Sequence, residues 1–160
     1  MNTSMIRWCT GLALACASLM AQAGILPGPL VETDWLAAHA DQVQIVEVRS
    51  NIKSYTARPD IQVDAKGKKT IEEVGGHIPG ALLANFRNLR VDRIINGQKV
   101  QYMIPEAADF QAYVRQTGVL AGKPIVLVPI GAEVADVDEA LRLYWQFKVY
   151  GEDEVAVLNG

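Results

Sequence analysis

Gly76-His77-Ile78-Pro79-Gly80-Ala81 is the stretch whose reading decides the fold. Two glycines and a proline within six residues make a turn, and the apolar Ala81-Leu82-Leu83-Ala84 that follows begins a strand. Upstream, Ile45, Val46 and Val48 make 44–48 a nearly continuous apolar run, the pattern of a parallel strand covered on both faces. Downstream, Ile125-Val126-Leu127-Val128 and Val155-Ala156-Val157-Leu158 repeat that pattern. Helical signals separate these runs. The spacing predicts a short helix from Thr33, with Thr33 as N-cap, Asp34 in its first turn, and Trp35, Leu36 and His39 on one side. A second helix opens with Pro105 at N1, carries Ala108, Phe110, Tyr113 and Val114 on its apolar face, and closes at Gly118. A long helix over 134–150 places Val137, Ala140, Leu141, Tyr144, Trp145 and Lys148 at helical spacing before Gly151 ends it. Strands alternating with helices give an α/β domain, a mainly parallel central sheet flanked by helices and joined by right-handed crossovers. In such a sheet ligands gather at the carboxyl ends of the strands, which directs attention to 129–133, between the third strand and the long helix.

Two segments depart from the alternation. From Asn51 to Glu73 the composition turns polar and reads as a surface excursion, with Lys66-Gly67-Lys68-Lys69 as a solvated loop tip. Between the second strand and second helix, β-rich runs at 91–95 and 99–103 flank Asn96-Gly97. Both of those residues tolerate positive φ, so a small inserted hairpin is expected there.

The N-terminus reads as a secretory signal peptide over 1–23. Arg7 is followed by an apolar run from Trp8 to Met20, too short to span a membrane, and Ala21-Gln22-Ala23 offers small residues for cleavage. Removal would leave a domain of residues 24–160 in the periplasm or outside the cell. It would also take away Cys9 and Cys16, the only two cysteines. A lipoprotein anchored through Cys16 is the alternative, disfavoured by Ala13 three residues before that cysteine. Half the residues are apolar, as in one compact domain. The charge balance of 15 basic against 18 acidic residues becomes 14 against 18 once Arg7 is removed. This weak acidity gives no footprint for nucleic acid or for an anionic membrane surface.

Several blocks taken together resemble the rhodanese family, in particular the first, non-catalytic domain of tandem thiosulfate and 3-mercaptopyruvate sulfurtransferases. They are Leu30-Val31 with Thr33-Asp34-Trp35-Leu36, Val46-Glu47-Val48-Arg49, the Gly76 hexamer, and Tyr150-Gly151 with Val155-Ala156-Val157-Leu158-Asn159-Gly160, in family order. The resemblance implies a rhodanese-like fold and a chemistry in which sulfane sulfur moves onto a cysteine, whose persulfide rests in backbone N–H groups at a helix N-terminus. The corresponding loop here is Pro129-Ile130-Gly131-Ala132-Glu133, with Pro129 at or near the cysteine's position, so no catalytic residue is assigned. Proline offers no nucleophile and withholds one N–H. Glu47, Arg49, Gly76, His77, Pro79 and Gly80 are the family-motif structural residues. Glu47 and Arg49 are expected to anchor the loops around the sheet, with anion binding by Arg49 the less favoured reading. His77 is expected to hydrogen-bond within its turn. Only His39 could join it on a metal, so neither metal nor cofactor is expected. Ser50 lacks partners for a hydrolase triad.

Charge around the loop points away from sulfur-donor binding. Glu133, Asp136, Asp138 and Glu139 crowd the start of the long helix and suit its dipole. Two such carboxylates at ~8 Å and an effective dielectric near 20 would each cost an anion roughly 2 kcal/mol before screening. Two functions remain open. One is the catalytically silent half of a tandem sulfurtransferase, with a second rhodanese domain in cis and the chain cut at a family-internal point. The other is a stand-alone binding or regulatory module for a periplasmic protein or small anion.

Overall fold

The computed structural model describes residues 24–160; the expected signal peptide and both cysteines lie outside the described residues. A five-stranded sheet forms the centre, built from β1 (Leu30–Glu32), β2 (Gln44–Arg49), β5 (Leu82–Asn85), β8 (Ile125–Pro129) and β9 (Val155–Asn159). Its order is β1-β9-β8-β2-β5 and every neighbouring pair is parallel. All six residues of β2 and all five of β8 are buried, because two helices cover one face and a third, with the Gly76 loop, covers the other. Helix α1 (Thr33–His39) seats Leu36 against Val31, Ile45, Val126 and Val128. On the opposite face α2 (Ala107–Thr117) and α3 (Val134–Val149) bring Phe110, Ala140, Leu143 and Phe147 onto Val46, Val48, Ile125 and Leu127. Phe147 meets Phe110 edge to face, with ring centres 5.4 Å apart. Removing a core aromatic of this kind typically costs ~3–5 kcal/mol.

The inserted hairpin is present as β6 (Val91–Ile95) and β7 (Gln98–Met103), joined by Asn96 at φ 52° and Gly97 at φ 78°. Ile95 pairs with Gln98, so the turn has two residues, both in the left-handed region that Asn-Gly accepts.

Several expectations need correction. The polar excursion contains a short 3-10 turn (Ile52–Tyr55) and a second antiparallel hairpin, β3 (Asp60–Val63) with β4 (Lys69–Glu73), exposed along its whole length. The Asp64 carboxylate organises its tip by accepting the N–H groups of Lys66 and Lys68 at 2.8 and 2.9 Å. Thr33 is the first residue of α1, not its cap. Pairing of β1 with β9 holds Glu32 extended at the cap position, and its carboxylate accepts Asn159 Nδ2 instead of capping the helix. Pro105 precedes the cap residue Glu106, so α2 starts two residues later than proline at N1 would place it. Gly118 closes α2 at φ 93°. Helix α3 turns to the core a stripe only partly the one its spacing suggests, with Ala140 and half-buried Tyr144 of the expected set packed there. Ala140, Leu143, Gln146 and Phe147 are buried, while Val137, Leu141 and Trp145 are 38%, 42% and 45% exposed. Gln146 is admitted because its Nε2 donates to the Leu89 carbonyl at 2.7 Å, and a buried amide needs such a partner.

Candidate functional site

At the carboxyl edge of the sheet, residues 130–133 carry the chain from β8 into α3. Pro129 is not part of that loop: it is the buried last residue of β8, paired with Val48 and on the same side of the strand as Leu127, toward α3. Gly131 sits at φ 74°. That left-handed conformation, which glycine adopts without steric cost, turns the chain so that the N–H groups of Ala132 and Glu133 converge. Both donate to one oxygen of Asp136, at 3.0 and 3.1 Å, while the Asp136 N–H donates to the Glu133 carbonyl at 3.1 Å. The first turn of α3 is therefore closed by its own carboxylate. Two amides of the kind that could receive an anion are engaged, and the positive end of the helix dipole already has its counter-charge. Alongside, Ser50 Oγ donates to the Glu139 carboxylate, tying the end of β2 to α3. The Ala132 and Glu133 donors of the loop are occupied, carboxylates flank it, and residues 130–133 hold no nucleophile.

On the other face of β2, the Gly76 motif is held by two buried charges. Glu47 and Arg49, 3% and 5% exposed, form an ion pair. Arg49 also donates to Ser54 Oγ at 2.9 Å and to the Gly76 carbonyl at 2.6 Å. Glu47 in turn accepts the Ile78 N–H at 2.6 Å. Neighbouring strand positions i and i+2 thus project toward the same loop and fasten its two sides. The loop suits this grip. Pro79 and Gly80 (φ 81°) occupy the central positions of a tight turn closed by Ala81 N–H to Ile78 O at 2.9 Å. This is a type II pattern, which requires glycine at the second position. A Cβ on Gly75 would lie 2.6 Å from the Arg58 backbone, so the chain passes too close there for any side chain.

His77 differs from expectation. Its Nδ1 lies 2.8 Å from the Tyr55 carbonyl, outside its own turn, and its ring stacks on Tyr55 at 4.2 Å. A carbonyl only accepts, so Nδ1 carries the proton. The Tyr55 hydroxyl donates to the Ala81 carbonyl, and burial, then the Glu47 charge, raises its pKa, with Arg49 opposing. His39 is spent within α1, bonding the Trp35 carbonyl at 2.8 Å and stacking on its ring. The two histidines thus serve separate elements.

Sequence reasoning did not single out Arg90 and Arg142. These sit between the Phe86–Leu89 turn, the β6–β7 hairpin and α3, each stacked on aromatic rings. Their juxtaposition depends on the hairpin folding back on α3, and no local pattern in the sequence reports that contact.

A parallel sheet of this order, with helices on both faces and the Gly76 loop fastened to its second strand, gives this chain a rhodanese-like fold. No protein-family model matches it. It is similar to 3-mercaptopyruvate sulfurtransferase of Escherichia coli K12, 26% identical over 132 residues that cover 81% of this chain and 41% of that protein. Thiosulfate/3-mercaptopyruvate sulfurtransferase 2 of Arabidopsis thaliana is 26% identical over 155 residues, covering 94% and 40%. The crystal structure of the Escherichia coli 3-mercaptopyruvate enzyme shares the fold, with a TM-score of 0.53 and 23% identity over 84% of this chain and 41% of that one. The chain thus spans about two fifths of the length of these relatives.

Proposed function

We propose that this chain is the catalytically silent half of a tandem sulfurtransferase of the export compartment. In this reading residues 1–23 are removed, a second rhodanese domain in cis carries the active cysteine, and residues 24–160 buttress that domain and shape its substrate cleft. The observation that carries the reading is the loop after β8. Among the described residues no thiol stands in or beside it, and its Ala132 and Glu133 amides hold the Asp136 carboxylate rather than an exchangeable anion. Similarity to two-fifths of longer sulfurtransferases agrees with one half of such an assembly. Arg49 fits a structural role here, since both its terminal nitrogens are engaged by Glu47, Ser54 and Gly76.

The test is the reading frame beyond the codon for Gly160. A continuing frame with a second G-H-x-x-G-A element and a cysteine-bearing loop supports the tandem reading. An immediate stop codon refutes it and leaves the stand-alone binding module.

A further inference from the structure

Between α3 and the β6–β7 hairpin lies a cleft of about 510 Å³ lined by Phe86, Arg90, Tyr102, Asp138, Leu141, Arg142 and Trp145. The Arg90 guanidinium is sandwiched, 4.4 Å from the Phe86 ring centre and 4.7 Å from that of Tyr102. Arg142 lies 4.8 Å from the Trp145 ring centre and donates to the Tyr102 carbonyl at 2.8 Å. Neither arginine has a carboxylate within ion-pairing distance among the described residues, and Asp138, although it borders the cleft, pairs with neither. The Nε of each is buried without a hydrogen-bond partner. Burial, and then the nearby Arg90 charge, lowers the pKa of Arg142, so the two cations repel one another at close range.

Tyr102 adds backbone strain. Its φ of 62° puts an aromatic residue in the left-handed region. Such a conformation persists only where its surroundings over-determine it. Here it offers the Tyr102 carbonyl to Arg142 and the ring to Arg90. The arrangement orients two guanidiniums and leaves their charge uncompensated. Stacking uses their faces and each Nε is buried, so the donors left for the two oxygens of a carboxylate are the terminal nitrogens, apart from the Arg142 Nη2 that donates to Tyr102. The exposed sides of Leu141 and Trp145 extend an apolar floor beside them.

We infer that this cleft is a binding site for a small organic carboxylate with a flat apolar body. It lies about one to three turns along α3 from the loop that follows β8, and its anion donors, unlike the Ala132 and Glu133 amides of that loop, are not occupied by the chain's own carboxylate. The inference does not depend on the tandem reading, because every residue it uses lies in this chain.

The test is calorimetric and fluorescence titration of the exported protein with benzoate, against neutral benzamide, sulfate and an acetylated glutamate peptide as separate arms. Benzoate should bind at one saturable site and shift tryptophan emission, with benzamide and sulfate binding about tenfold or more weaker, the scale of one lost charge-assisted hydrogen bond. Arg90→Gln and Arg142→Gln should each weaken benzoate about tenfold or more. Arg142→Gln also removes a bond to Tyr102; if it fails to fold, Arg90→Gln and the benzamide comparison decide. The inference is overturned by no saturable benzoate binding by the unmodified protein, by equal binding of benzamide, or by affinity unchanged by Arg90→Gln. Binding of the glutamate peptide alone would assign the arginines to a partner polypeptide and overturn it equally.

Discussion

Replacing Arg49 by methionine leaves the Glu47 carboxylate buried beside an apolar side chain, and Glu47→Gln leaves the Arg49 guanidinium buried with its charge unmatched. Each change breaks an almost fully buried pair from one side, which typically costs about 3–5 kcal/mol. Here the loss includes the bonds that fasten the Gly76 loop to β2. Arg49→Met deletes donors to Ser54 and the Gly76 carbonyl, whereas Glu47→Gln keeps an acceptor for the Ile78 N–H. With an unfolding entropy of roughly 2.1 cal/mol/K per residue over the described domain, that cost lowers Tm by about 10–17 °C. The double variant removes both charges together, so it should cost less than the two singles combined, by about 1–3 kcal/mol. Urea and thermal unfolding followed by circular dichroism at neutral pH measures all three. Singles costing under about 1 kcal/mol, or a double equal to the sum, would refute the claim that this pair is the fastening between sheet and motif loop.

Asp136→Ala removes the acceptor for the Ala132 and Glu133 amides and should cost ~0.5–2 kcal/mol, read as a Tm about 2–7 °C lower, with the fold intact by circular dichroism. Replacing Asn96-Gly97 by Val-Val forces β-branched residues into positive φ, which costs roughly 1–2 kcal/mol per residue; limited proteolysis should then open the hairpin before the rest of the domain. Protein recovered from the periplasm should begin at Gly24 by intact mass, and a species keeping Cys16 with attached lipid would contradict that start.

Where local chemistry decides conformation, the sequence was readable. Ile45, Val46 and Val48 read as a strand covered on both faces, and Asn96-Gly97 signalled a hairpin because both residues accept positive φ. Contacts between distant segments were harder to read. Asp60-Ile61-Gln62-Val63 does alternate, but in β3 both faces meet solvent, so the alternation has no core to report on and was lost among polar neighbours. In α3 the eye follows Val137, Leu141 and Trp145, yet the sheet takes the stripe of Ala140, Leu143 and Phe147 because a small residue and a hydrogen-bonded glutamine let the helix approach closely. Thr33 has the better capping side chain, but β1 pairing fixes the chain one residue earlier and leaves Glu32 at the cap. The sequence supplies the candidate loop's carboxylates, but not which of them turns inward. That Asp136 folds back on the loop amides while Glu139 takes Ser50 depends on the path of the chain at Gly131.

The most direct test of the central claim is thiocyanate formation from thiosulfate and cyanide by purified residues 24–160, free of other sulfurtransferases. With no side chain able to carry a persulfide, the rate should equal that of buffer alone. Turnover above buffer, proportional to protein concentration, would contradict the proposal that this domain is catalytically silent.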